Sequence, residues 1–311
     1  MVTPHGLHGA YLRRELIARV GRHQVNAQLT RGSLSRLWPG VVVESARLAD
    51  PMTRAAAALL AHGVSAAIAG VTAARLHGYT AIESTVTHIV VPYGHPSRSR
   101  NGLGVHNGPL PDQDIVELLG LRVLSPERVV SDLLCTARPR DALAIADQTL
   151  AEQLPEWRDA AKTRLARRLR HRADPRGTRS GARLLELATG RAESPPESWL
   201  LLEVVDLGFP WLEVNWSLCS PAGGELYRLD LAWPERRVAL EYDGYAVHAG
   251  REVQDRRRAD DLRRVAGSCS WQPSTTRGTA AGSRWRCGKP PTVVTTVRVR
   301  RGPPDKIPDS P

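Results

Sequence analysis

The stretch Tyr227-Arg-Leu-Asp-Leu-Ala-Trp-Pro-Glu-Arg-Arg-Val-Ala-Leu-Glu-Tyr-Asp-Gly244 constrains the chain more than any other. Leu229 and Leu231 alternate with Arg228, Asp230 and Ala232, which is the period of a strand, and Val238-Ala239-Leu240 supplies the apolar run of a second one. Trp233-Pro234-Glu235 is the turn between them. Three carboxylates then fall near strand ends. Asp230 lies in the first strand, and Glu241 and Asp243, two apart, leave the same face of the second. Acids gathered on an apolar hairpin repel one another and lose hydration, which destabilises the fold unless a cation compensates. A hard divalent ion held by carboxylates and substrate phosphate is one compensator. Pairing with Arg228, Arg236 and Arg237 on an exposed hairpin is the other.

The order of elements around this hairpin resembles the very-short-patch repair endonuclease and its relatives in the restriction-endonuclease-like superfamily. More narrowly, it resembles an uncharacterised actinobacterial family that carries such a domain at the C-terminus. The matching features are Asp230, the turn, the strand ending in Glu241-Tyr-Asp-Gly244, and the following His248. Upstream, Pro195-Pro196 starts a helix that carries Glu197. Leu212-Glu-Val-Asn-Trp216 reads as a first strand, and residues 252–265 as an Asp/Arg-rich helix. The resemblance implies metal-dependent phosphodiester hydrolysis. Asp230, Glu241 and Asp243 would hold Mg2+ or Mn2+, Glu197 would assist from its helix, and His248 would act as general acid or phosphate contact. Where the superfamily usually places a Lys, this chain has Asp243, a substitution the very-short-patch relatives make with other groups.

The family also continues with Trp, an apolar strand and a closing helix, whereas residues 268–311 run through Ser, Thr, Pro, Gly and Arg. Their one apolar run is Thr292-Val-Val-Thr-Thr-Val-Arg-Val299, between prolines. Such a composition buries little apolar area against its chain entropy, so this tail is expected to be disordered and the nuclease-like core truncated. Two origins are considered: a reading frame lost near Gly267, or a basic nucleic-acid-binding arm with eight cations against two acids.

At the other end, Leu12, Leu16, Ile17 and Val20 make a helical stripe that Gly21 breaks. Residues 23–30 form a second short helix, and residues 34–43 a hairpin turning at Pro39-Gly40. Helix, turn, helix and hairpin make a winged helix, with the second helix free to enter the major groove. Arg22, His23, Gln24, Asn26, Gln28 and Arg36 are the candidate contacts to phosphates and base edges. This pattern resembles the N-terminal domain of AbiEi-type antitoxins of type IV toxin–antitoxin systems, which implies a cognate toxin, or the operator of its gene, as partner.

Residues 55–76 read as one or two Ala-rich helices that His77-Gly78 stops, followed by strands at 85–92, 104–107 and 121–124. A helix then starts at Ser125-Pro126, and another covers 141–150. His62, His77, His88, His95 and His106 are irregularly spaced and are expected to be structural. Residues 156–188 carry ten cations, from Arg158 to Arg183, interrupted at Asp174-Pro175 and Gly177, and would form a basic helical linker along a duplex or a solvated helix face.

The expected architecture is therefore α/β. It comprises a winged helix (1–50), a mixed α/β antitoxin-like domain (51–152), a basic helical linker (153–190), an endonuclease-like domain (191–267) and a tail (268–311). The net charge of +11 suits a DNA partner. Four scattered cysteines indicate neither a zinc site nor a disulfide framework. No signal-peptide plan or membrane span is expected, so the protein is placed in the cytoplasm. The two functional readings are a metal-dependent endonuclease and a non-catalytic DNA-binding regulator or antitoxin that keeps a degenerate nuclease fold.

Overall fold

The computed structural model describes residues 6–96, 98–219, 224–236 and 238–243, and the backbone segments 269–272, 284–287 and 295–300. The chain divides into two compact units, Met1–Leu187 and Ala188–Pro311.

The first unit opens with β1 (Ala10–Leu12), α1 (Arg13–Val20), α2 (Arg22–Thr30), β2 (Leu34–Trp38) and β3 (Val41–Glu44). The strands pair antiparallel in the order β1-β3-β2, which leaves β2 at an edge. Gly21 ends α1 and begins α2 at φ +85°, a conformation that side chains with a Cβ rarely adopt. Tyr11, Leu16, Val25, Leu34 and Val42 close a small core over the sheet.

The expected Ala-rich region is two helices, α3 (Pro51–His62) and α4 (Gly70–Leu76), separated by a short strand, β4 (Ala67–Ile68). Asp50 caps α3 by accepting the Met52 N–H at 3.0 Å, with Pro51 in the first turn. Four further strands are β5 (Thr87–Val91), β6 (Leu103–Asn107), β7 (Ile115–Leu118) and β8 (Leu121–Leu124). With β4 they form a five-stranded mixed sheet in the order β6-β5-β4-β8-β7. Sequence periodicity found β5, β6 and β8. It missed β4, two residues long and too short to show a period, and β7, whose Ile-Val-Glu-Leu does not alternate.

Helices α5 (Pro126–Thr136), α6 (Pro139–Ala151), α7 (Arg158–Arg170) and α8 (Thr178–Leu187) complete the unit. The segment expected as a linker therefore belongs to this unit. Ala161, Leu165 and Leu169 of α7 and Leu184, Leu185 and Leu187 of α8 are buried, and both helices pack against α5 and α6. The physical reason is that apolar residues recur every fourth position beneath the cations, so the basic helix has a core-facing side. Gly177 makes the crossing: at φ +75°, a Cβ there would lie 2.2 Å from the Cys135 carbonyl oxygen.

The second unit begins with α9 (Pro195–Asp206) and continues through β9 (Glu213–Cys219), β10 (Glu225–Trp233) and β11 (Val238–Asp243), with a 3-10 turn at Pro234–Arg236. These strands pair antiparallel in sequence order. Trp216, Leu218, Leu229, Ala232 and Ala239 form the core, and α9 packs on β10 and β11. Three extended segments follow: β12 (Cys269–Gln272), β13 (Arg284–Cys287) and β14 (Thr295–Arg300). β12 pairs with β13, and β14 runs parallel to β11 with Glu241 opposite Arg298. β14 coincides with the one apolar run read in the tail.

Candidate functional site

The candidate DNA-reading surface is α2. Val25 is fully buried, and Leu29 packs on the same core. The helical period then turns Arg22, His23 and Asn26 outward, where all three are exposed. Gln24 and Gln28 are half-buried at the edges of this face. The Asn26 side-chain oxygen accepts from Arg13 Nη2 at 3.2 Å, which fixes the amide's orientation on the surface. Arg36 is exposed on the edge strand β2. The module is anchored to the rest of its unit. Trp38 Nε1 donates to the Asn101 carbonyl at 3.2 Å, and the Arg54 guanidinium lies 5.4 Å from the Trp38 ring centre.

Three of the carboxylates singled out in the sequence, Glu197, Asp230 and Glu241, lie on α9, β10 and β11 of the second unit. Leu231 pairs with Leu240, so the next position along the ladder sets Asp230 opposite Glu241. Asp230 Oδ2 accepts the Tyr242 N–H at 2.7 Å. Glu241 is buried and Asp230 half-buried. Glu197, in the first turn of α9, is also buried. Its carboxylate accepts from the Glu193 N–H at 2.8 Å, the Ser194 hydroxyl at 2.7 Å and Asn215 Nδ2 at 2.8 Å. Asn215 sits at φ +47° in β9, and it also donates to the Arg191 carbonyl. Sequence reading passed over Asn215, which looks like an ordinary strand residue. Arg228 pairs with Glu193 at 2.5 Å and Glu225 at 3.1 Å. The side chain of Asp243 and all of His248 lie outside the described residues. Among the described residues no group of three or more His, Cys, Asp or Glu side chains is placed to hold a metal ion.

A third constellation went unnoticed in the sequence. Asp114, only 3% exposed, accepts from Arg128 Nη1 at 2.8 Å and from Arg168. Asp132 binds Arg128 Nε at 2.7 Å and Arg172 Nε at 3.1 Å. Three guanidiniums thus share two carboxylates. Burial pushes the Asp114 carboxyl up, but hydrogen bonds and charge from Arg168 and Arg128 outweigh it and hold the group below the usual range. The pairing of Arg128 with Asp132 is legible as an i, i+4 helix pair. Asp114 comes from an irregular turn, Asp112–Asp114, that carries no periodic signal.

The histidines have backbone and ring partners. His62 Nδ1 is 2.9 Å from the Ala58 carbonyl, and His77 Nε2 is 2.8 Å from that of Leu124. His88 Nδ1 and His106 Nε2 lie 3.0 Å apart. Burial and the neighbouring His106 lower the pKa of His88; burial lowers that of His106 against the opposing pull of Asp132.

Residues 64–188 match the family described as the AbiEi antitoxin C-terminal domain, a span that takes in β4 to β8 and α4 to α8. Two proteins of Mycobacterium tuberculosis, Uncharacterized protein MT2308 and Uncharacterized protein Rv2248, are each 32% identical to this chain over 237 residues, covering 74% of it and 80% of the relative. The chain belongs to the same family as these mycobacterial proteins. No helix among the described residues is long and apolar enough to cross a membrane.

Proposed function

We propose that the protein is a DNA-binding regulator of the antitoxin class. In this reading the first fifty residues form a winged helix: α2 enters the major groove, and the β2–β3 hairpin lies along the backbone as the wing. The observation that carries it is the N-terminal module itself, whose packed core leaves Arg22, His23 and Asn26 exposed on one face of α2 and Arg36 on the adjoining edge strand. The AbiEi C-terminal domain match that follows this module supports the antitoxin class. Arg22 and Arg36 would contact phosphates, while His23, Gln24, Asn26 and Gln28 would address base edges. The DNA would be the operator of the protein's own gene or that of a cognate toxin, in the cytoplasm. A gel-shift titration of the full chain on the DNA upstream of its gene tests this. Retarded complexes that weaken with Asn26→Ala and Arg22→Ala support the reading, and the absence of any complex at low salt removes it.

A second reading rests on the facing of Asp230 and Glu241 across the β10–β11 ladder. Both groups offer oxygen donors, so they fit a hard divalent ion such as Mg2+ or Mn2+, with Glu197 close to the same sheet. When bound, that ion would polarise a phosphodiester. Glu241, being buried, would contribute a desolvated carboxylate, and the Tyr242 N–H would orient Asp230. Asp243 and His248 complete the set read in the sequence. Nicking of supercoiled plasmid that disappears with Asp230→Ala would establish an endonuclease, and intact plasmid would leave this unit without that activity.

A further inference from the structure

The first unit contains a groove of about 1130 Å³ between β6, α5, α7 and the turn at Asp174-Pro175. Its floor is the arginine cluster already described. The two carboxylates there neutralise only part of the cationic charge and fix the guanidiniums in place. Each guanidinium has five N–H donors, so donors remain after the carboxylates are served. Arg168 Nε is buried without an acceptor among the described residues, so the carboxylates do not serve every donor of the cluster. At the rim, the Arg167 guanidinium is exposed and has no hydrogen-bond or ion-pair partner among the described residues. Arg164 beside it is held by Glu127 at 2.8 Å. Tyr93, 69% exposed, lines the same groove and offers a free aromatic face.

We infer that this groove binds a small phosphate-bearing molecule of nucleotide size. The phosphates meet Arg167 and Arg168, Arg172 and Arg128 supply the positive floor, and Tyr93 stacks on the base. The volume, about 1130 Å³, lies just above the roughly 300–1,000 Å³ typical of small-molecule sites, so a ligand of that size would fit with room for water. The inference stands apart from the DNA reading, because it uses neither α2 nor the β2–β3 hairpin.

Calorimetric titration of the full chain with pyrophosphate, ATP and GTP tests it, alongside Arg167→Glu and Glu127→Gln. Both substitutions lie at the exposed rim, so thermal melts should match the wild type and report that the fold is kept. Pyrophosphate and at least one triphosphate should bind. Arg167→Glu should weaken that binding about tenfold or more, the size of one charge-assisted hydrogen bond. Glu127→Gln should tighten it by releasing Arg164. Arg22→Ala should leave it unchanged, which separates this site from the DNA-reading surface. No heat with any of the three probes, or affinities that Arg167→Glu does not move, would overturn the inference.

Discussion

The arginine cluster of the first unit and the carboxylates of the second solve opposite electrostatic problems. Around Asp114 and Asp132, acids hold arginines: two carboxylates position three guanidiniums and leave cationic charge to spare. Around Glu197, N–H and O–H donors hold an acid: a backbone amide, a hydroxyl and the Asn215 amide converge on a single buried carboxylate. The first arrangement is a network of full charges, costly to break from either side. The second is a set of directed hydrogen bonds that can lose one member at lower cost. Net charge in the sequence shows neither difference. Ten cations in residues 156–188 suggested an extended basic surface, yet several of them are spent on holding their own unit together.

The sharpest way to break this comparison is to remove the hub of the cluster. Asp114→Ala strands two guanidiniums that are partly withdrawn from water, and should destabilise the first unit by about 3–5 kcal/mol in urea titration. A change below about 1 kcal/mol would mean that the arginines reach solvent freely. In the second unit, Glu197 Oε2 accepts from the Glu193 N–H and Asn215 Nδ2 and Oε1 from the Ser194 hydroxyl, so Glu197→Gln sets an NH2 against one or two of these donors. The expected loss is smaller, about 1–3 kcal/mol. If Glu197→Gln costs more than Asp114→Ala, the contrast between the two regions is wrong.

The histidine pair sharpens the contrast through pH. The folded-state pKa of His88 and of His106 lies below the ordinary value, so at mildly acidic pH the unfolded chain binds protons that the folded chain refuses. The stabilisation is fully present above about pH 6.5 and is lost as pH falls through the folded values. Urea midpoints should therefore drop between about pH 7.5 and pH 5.5, and His106→Gln should flatten that drop. A midpoint insensitive to pH in this range would contradict the lowered pKa of the pair. The smallest effect is expected where pairing is exposed. Arg176→Ala removes a partner of Asp174 that is 89% exposed, and should leave the urea midpoint where it is in the wild type.

Much of this architecture was legible in the sequence. α2 followed from the break at Gly21, the β10–β11 hairpin from Leu229 and Leu231 about a Trp-Pro-Glu turn, and α9 from Pro195-Pro196. These are local signals of period and punctuation. What escaped was set by tertiary contact. β4 spans two residues and exists because β5 and β8 flank it. Asp114 matters only because Arg128 and Arg168, 14 and 54 positions away, fold onto it. Asn215 reads as a strand residue, and its bond to Glu197 depends on a positive φ that nothing in its neighbours announces. The packing of residues 158–187 onto the first unit rests on Leu165, Leu169, Leu184 and Leu185, which lie beneath the cations that dominate the segment's composition.

The most direct test of the central claim is fluorescence anisotropy of the full chain on a labelled duplex from upstream of its own gene, repeated across a salt series. The account predicts binding that weakens steeply with salt, a salt slope reduced by about one when Arg22 becomes Ala, and lost preference over unrelated DNA when Asn26 becomes Ala. Binding that neither substitution alters, or none at low salt, would contradict it.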